Sequence, residues 1–219
     1  MGVVCGSATA PLRALSTPLL SAEGLACVRA GRTVFRGLSF ALEASDALLV
    51  RGPNGSGKSS LLRLLAGFLP PAAGRLSRAG QPVGDDLPAY RARLHYVGHA
   101  NAIKGVLGVR ENLAFAARLR GEAPVSVDAA LETFGLAALA DGPARYLSAG
   151  QQRRLALTRL LATPRELWLL DEPAVGLDQA SRARLEQALG SHREAGGVAV
   201  IATHGDVAAD RPLVLELPG

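Results

Sequence analysis

The chain has 219 residues, 48% of them hydrophobic, enough to bury the core of one globular domain and a smaller unit beside it. No apolar run approaches the roughly 18 residues a spanning helix needs, so any membrane attachment is expected to come through a partner. The formal charge is +5 and the pI near 9.9, yet basic residues such as Arg153, Arg154 and Arg159 are scattered along predicted helices without the block that tracks nucleic acid; they read as a solvated face drawn to an anionic leaflet or ligand.

Residues 1–20 hold one basic residue, Arg13, with Pro11 and Pro18 interrupting any helix and only a short apolar run. A secretory leader fits poorly, and this stretch is expected to be a flexible extension or to lie upstream of the true start. Cys5 and Cys27 form neither C-x-x-C nor C-x-x-C-H, so no zinc, redox or covalent-cofactor site is readable, and two unpaired thiols fit a reducing cytoplasm. Residues 21–40 predict two or three short strands, and Ala-Leu-Leu-Val at 47–50 a buried one. That strand runs into Gly-Pro-Asn-Gly-Ser-Gly-Lys-Ser-Ser at 52–60, with helical spacing over 59–66. Gly67, Pro70 and Pro71 close that helix. Residues 94–97 read as a strand. Residues 108–147 read as mostly helical, with helices over 112–120 and 127–134 and breaks at Pro124 and Pro143. A helix over 152–162, a strand over 167–170, a helix over 179–194, a strand over 198–202 and a last strand near 213–217 complete an α/β pattern with a mainly parallel sheet.

Residues 52–60 fit G-x-x-x-x-G-K-[ST], with Gly52 and Gly57 as the glycines, then Lys58 and Ser59. A phosphate chain carries several negative charges, and only side-chain-free backbone wraps it closely with N–H donors. The helix behind adds the positive end of its dipole. In this pattern Lys58 reaches the β- and γ-phosphate oxygens, and Ser59 offers a hydroxyl to Mg²⁺. The alternative is an ordinary glycine-rich turn with a surface lysine. Downstream, Asp171 and Glu172 end an apolar strand, and burying that pair without partners is unfavourable. Magnesium supplies the missing charge, with Asp171 holding it through water while Glu172 polarises the attacking water. A solvated acidic turn is the competing reading. Leu147-Ser148-Ala149-Gly150-Gln151 opens the helix over 152–162, so Ser148 faces an anion or is simply an N-cap. Val175-Gly176-Leu177-Asp178 follows the acids, and Thr203-His204-Gly205 follows the strand over 198–202, where a lone histidine is otherwise an ordinary surface residue.

In this order the motifs resemble those of ABC ATPases, from residue 21 to the C-terminus. The resemblance implies a P-loop NTPase of ABC type: an α/β fold with a mainly parallel sheet, an antiparallel β subdomain, and a helical subdomain inserted at about residues 100–150 of an ABC ATPase domain spanning 21–219. ATP and Mg²⁺ are the implied ligands. Gly52, Pro53, Asn54, Gly55, Ser56, Gly57, Lys58, Ser59 and Ser60 would surround the phosphates, Ser59 and Asp171 would hold the metal, and Glu172, His204 and Lys58 would be catalytic. In that family Ser148, Gly150 and Gln151 form a signature capping the γ-phosphate held by a second copy, Asp178 lies in the D-loop, and two copies sandwich two ATP molecules head to tail. A catalytically dead subunit conflicts with intact Lys58, Asp171, Glu172 and His204.

Tyr96-Val97-Gly98-His99, Ile103-Lys104 and Glu111-Asn112-Leu113, with Cys27-Val28-Arg29 ahead of Arg32-Thr33-Val34-Phe35, are similar to the haem-exporter ATPases of cytochrome c maturation, the CcmA type. That likeness implies a homodimer on the cytoplasmic face of the bacterial inner membrane, peripheral, with integral permease subunits of the CcmB and CcmC kind and no nucleic acid. Haem is inherited wholly from the likeness, since no haem-ligand motif is present. His99 stands where most ABC ATPases carry the Q-loop glutamine; histidine titrates near neutral pH, and His99 is expected to bind at the nucleotide site and couple it to the membrane partner, or else to be a satisfied surface imidazole. The alternatives are an ATPase for another exporter, and a non-transport ABC ATPase acting on nucleic acid or ribosomes. Such non-transport chains usually carry a long coiled-coil insertion or two tandem units, for which this sequence has no room. Three departures stand out. Arg29, Ala30, Gly31 and Arg32 replace the usual adenine-stacking aromatic, leaving an arginine plane to stack on the base. Ala149 replaces a signature glycine. Gly108 replaces a helix-capping threonine, although Glu111 sits where a capping box wants it.

Overall fold

The computed structural model describes residues 17–119, 126–205 and 210–218. Cys5, Pro11 and Arg13 of the expected extension, and Arg120 and Pro124 of the expected helical stretch, lie outside the described residues. β1 (Leu20–Arg29) and β2 (Arg32–Leu42) form a hairpin whose turn residues Ala30 and Gly31 have φ of 48° and 74°. Positive φ at both central positions matches the twist of the adjoining strands. The expected two or three short strands are therefore two long ones, and the first begins at Leu20, which is fully buried. β3 (Ala47–Arg51) leads through the glycine loop into α1 (Lys58–Leu65). α1 ends as its sequence demands. Gly67 adopts φ 69°, its N–H reaches Leu64 O, and the Phe68 N–H reaches back to Arg63 O, the paired bonds that close a helix through a left-handed glycine.

β4 (Ala73–Arg78) pairs antiparallel with the free edge of β1, and β5 (Gln81–Pro82) pairs with β4, giving the sheet order β2-β1-β4-β5. After α2 (Leu87–Ala92), β6 (Leu94–Val97) enters a second sheet. α3 (Val109–Arg118), α4 (Val127–Thr133) and α5 (Ala149–Ala162) follow, then β7 (Leu167–Asp171), α6 (Gln179–Glu194), β8 (Val198–Ala202) and β9 (Leu213–Glu216). The second sheet runs β6-β7-β8-β3-β9, and every neighbouring pair in it is parallel. No helix among the described residues is long and apolar enough to cross a membrane.

The central strands are buried on both faces because layers cover both. Leu48, Val50, Leu167, Leu169, Val198 and Val200 point into one core with α1 and the antiparallel sheet. Leu49, Trp168, Leu170, Ala199 and Ile201 point into the other, with α5 and α6, as the two-residue period of a strand requires. Each fully buried leucine contributes about 1.5–3 kcal/mol, so the ends of β3 and β7, where the functional motifs begin, rest on a well-stabilised core. A third core joins Val109, Leu113, Leu131, Leu136 and Leu147 to Leu155 and Ala162 of α5. Helix α5 thus belongs to two cores at once. At the start of α3 the Gly108 N–H donates to Glu111 Oε2 at 2.7 Å, half of a capping box, since glycine lacks the reciprocal oxygen. Asn112 adds what glycine cannot: its amide donates to Lys104 O at 3.0 Å and Gly108 O at 2.9 Å and accepts the Lys104 N–H at 2.8 Å.

Trp168, the chain's one tryptophan, lies in β7 with the His192 ring stacked on it at 3.9 Å and 8°. His192 Nε2 donates to Val198 O at 3.2 Å. Burial pushes the imidazole below its ordinary 6.5, outweighing the upward pull of the Val198 carbonyl. The unfolded chain takes up a proton near pH 6.5 that the folded one resists, so this contribution is fully present above that pH and is lost as pH falls below it. Stability followed by Trp168 emission is expected to decline on acidification from pH 7 to 5, and the decline to be shallower in His192→Phe; equal slopes would remove His192 as its cause.

Candidate active site

The loop after β3 closes because two of its positions cannot hold a side chain. A Cβ on Gly52, at φ 145°, would lie 2.6 Å from Leu217 O, and one on Gly57, at φ 99°, would lie 2.4 Å from Val34 Cγ1. Helix α1 starts on Lys58 directly behind Gly57, which offers no side-chain cap. Its first N–H groups are open to an anion. Lys58 is buried, and its Nζ donates to Gly52 O at 2.8 Å and Pro53 O at 3.0 Å and lies 2.9 Å from His204 Nε2. An ammonium can only donate. His204 Nε2 therefore accepts, and the ring carries its proton on Nδ1.

The acids sit across from this loop. Asp171 is the last residue of β7, one further than expected, and is buried beside Ala202 of β8. Glu172 follows with φ 47°, a left-handed conformation that costs a non-glycine residue about 1–3 kcal/mol and that persists only where surroundings enforce it. Its N–H donates to Ala202 O at 2.9 Å. Its Oε2 accepts the His204 N–H at 3.4 Å, and its Oε1 lies 3.5 Å from His204 Nε2. A bond between Thr203 Oγ1 and the Gly205 N–H, 3.0 Å, shapes the corner that carries His204.

These groups line one cleft of about 520 Å³: Asn54, Gly55, Gly57, Lys58, Ser59 and Ser60 on one wall, Asp171, Glu172, Val175, His204 and Gly205 on the other, and His99 at the loop after β6. Gly52, Pro53 and Ser56 shape the loop from behind. In this lining the buried Glu172 Oε1 has no hydrogen-bond partner among the described residues. Such an orphan fits a site completed by a polar ligand. No group of three His, Cys, Asp or Glu that could hold a metal ion gathers among the described residues, so a cation bound by Ser59 and Asp171 would need oxygens from the ligand.

Ser148, Gly150, Gln151 and Asp178 do not line this cleft. Ser148 caps α5: its Oγ accepts the Gln151 N–H at 3.2 Å while Gln151 Oε1 accepts the Ser148 N–H at 2.8 Å. The hydroxyl and helix end remain exposed. A Cβ on Gly150 would come 3.2 Å from Gly176 O, so the α5 start packs against the turn before Asp178. Asp178 caps α6 through the Ser181 N–H at 2.7 Å, and hydrogen bonds from Ser181 hold its carboxyl below the usual range. The turn at Arg29, Ala30, Gly31 and Arg32 is not part of the cleft lining.

Arg153 corrects a sequence expectation. Expected on a solvated face with the other scattered basic residues, it is 6% exposed and faces the back of the cleft. The available signal was positional. Residues 153, 156, 157 and 160 share one helix face, and Ala156, Leu157 and Leu160 on it are fully buried.

The family model described as ABC transporter matches residues 35–175. The cytochrome c biogenesis ATP-binding export protein CcmA of Rhodospirillum rubrum is 55% identical over 199 residues, 91% of this chain and 85% of that protein. The protein of the same name from Paramagnetospirillum magneticum is 55% identical over 197 residues, 88% of this chain and 91% of that one. A solved ATP-binding subunit of an ABC transporter matches with a TM-score of 0.81 at 22% identity, over 91% of this chain and 85% of that chain, which shows the shared fold. The parallel sheet with its antiparallel companion, the glycine loop, the paired acids and relatives matched over most of their length agree: the chain belongs to the ABC transporter family, as an ATP-binding subunit of the CcmA type.

Proposed function

We propose that the chain hydrolyses Mg·ATP at the cytoplasmic face of the bacterial inner membrane to power haem export for cytochrome c assembly, with integral permease subunits of the CcmB and CcmC kind. As a family member it is an ATPase that works as a dimer with membrane permease partners; the cargo, the named partners and the location are our reading, as is the absence of a nucleic-acid ligand. The observation that carries it is the convergence of Lys58, Asp171, Glu172 and His204 on one cleft behind an uncapped helix start, in a chain 55% identical to cytochrome c biogenesis export proteins.

Lys58 now donates to its own loop and approaches His204. Phosphate oxygens would take over those donors together with the free N–H groups of α1. Magnesium, when bound by Ser59 and through water by Asp171, would offset phosphate charge and orient the chain. Glu172 accepts a proton from the attacking water, and His204, released by Lys58, contacts the γ-phosphate. Ser148, exposed at the α5 start, with half-buried Gly150 and Gln151, all outside their own cleft, would cap the nucleotide of a second copy, with Asp178 at the same seam. The helical unit of about residues 100–150 would meet the permease, and His99 would report the state of the cleft to it.

Purification of the tagged chain from membranes, with mass spectrometry of bound integral proteins, tests this. Small hydrophobic permeases and cytochrome assembly factors are the expected partners; recovery of ribosomes, DNA or a drug-exporter permease would end the haem reading. In the same preparation His99→Ala should lose the coupling of ATP hydrolysis to the permease; an unchanged ATPase rate and unchanged coupling would count against this role of His99.

A further inference from the structure

Behind the cleft, one side chain ties the Glu172 turn to the loop that carries His99. Arg153 extends from α5, and each of its five N–H donors is taken. Nε donates to Pro173 O at 3.2 Å, and Nη2 donates to Asp171 O at 2.8 Å and Glu172 O at 2.7 Å. Nη1 donates to Gly98 O at 2.9 Å and Asn101 Oδ1 at 3.2 Å. Three of the acceptors are consecutive carbonyls spanning Glu172, the residue held in a left-handed conformation. The other two flank His99 in the loop after β6. A buried cation takes up this position only when its donors are satisfied, and a planar five-donor fork is the one side chain that can satisfy five diverging acceptors.

We propose that Arg153 is a positioning residue for hydrolysis, fixing the main chain of Glu172 against the His99 loop so that the carboxylate meets the attacking water at the right place. This rests on the reading of Glu172 as general base. Burial pushes the guanidinium below its ordinary range, while the carboxylates of Asp171 and Glu172 draw it back up; it remains charged, as arginine does. Its neighbour cannot replace it, because Arg154 donates to Phe134 O and Gly135 O on the far side of the helix.

The test uses the chain purified with its membrane partners and compares Arg153→Gln, Arg153→Lys, Glu172→Gln and the double variant Arg153→Gln with Glu172→Gln. A misplaced reacting group costs about 10- to 100-fold in rate, so Arg153→Gln should lower kcat by that factor while KM for ATP stays within about twofold. Arg153→Lys keeps the buried cation and recovers only part of the loss, because three donors cannot replace five. The deciding measurement is single-turnover hydrolysis by the double variant. If Arg153 acts through Glu172, the double variant is no slower than Glu172→Gln alone. Losses that multiply, a KM that rises in step with the fall in kcat, or a normal kcat in Arg153→Gln or Arg153→Lys would each overturn the proposal. Should Arg153→Gln not fold, Arg153→Lys paired with Glu172→Gln gives the same comparison. A near-normal rate in Glu172→Gln alone would instead overturn the general-base reading, so the two failures are told apart.

Discussion

Glutamine at position 172 is expected to lower ATP turnover by about 100- to 10,000-fold, the range over which a positioned general base contributes, while leaving nucleotide affinity close to that of the parent. The substitution keeps the shape of the side chain and removes its basicity. Glu172 Oε1 is buried without a hydrogen-bond partner among the described residues and Oε2 accepts only a long bond from the His204 N–H, at 3.4 Å, so neither oxygen is committed to holding the fold. Binding should survive because the phosphates are held from the opposite wall, by the loop and by α1. The check is a pair of measurements on one preparation: affinity from titration with a fluorescent ATP analogue, and kcat from phosphate release. A rate within about threefold of the parent would remove Glu172 from the proton-transfer step.

Lys58→Ala should fail in the complementary way. Hydrogen bonds from a charged donor contribute about 1.5–3 kcal/mol each, so affinity for ATP is expected to fall about 10- to 100-fold. The fold should remain, since alanine favours a helix more than lysine does and α1 is anchored by Leu61, Leu62, Leu64 and Leu65, all buried. The loss is bounded because Lys58 gives up bonds to Gly52 O and Pro53 O when it turns to a phosphate. Binding is an exchange of acceptors. Calorimetric titration with ATP, alongside thermal unfolding, separates a lost ligand contact from a lost structure; an affinity within about twofold of the parent would mean that the loop backbone and the helix end hold the phosphates without the lysine.

The parallel core was legible because strands buried on both faces read as continuous apolar runs, and β6, β7, β8 and α6 fell where their sequences placed them, with β7 one residue longer. The antiparallel sheet was less so. β4 buries Leu76 alone and β5 has two residues, too little for a periodic signal. Helix α2, six residues long, announces itself only through its cap, where Asp86 Oδ1 accepts the Ala89 N–H at 3.0 Å and proline occupies the first turn. In the site, Lys58, Ser59, His99, Asp171, Glu172 and His204 line one cleft, while Ser148, Gly150, Gln151 and Asp178 lie outside it; a motif names residue types and leaves their spatial grouping to the fold. Arg153 escaped because a sequence shows the charge of an arginine and conceals its surroundings; only the apolar company of Ala156, Leu157 and Leu160 on its face hinted at burial.

Helix α5 carries a mechanical consequence. Its 14 residues make a rod roughly 21 Å long, pinned near one end by the Arg153 bonds to the Glu172 turn and gripped along its length by two separate sets of packed side chains. Such a rod has no free joint. A push on the helical unit that tilts it by about 10° would carry its far end through about 4 Å, and the torque would arrive at the backbone of Glu172. Force from a moving permease and the timing of bond cleavage would then be two readings of one lever.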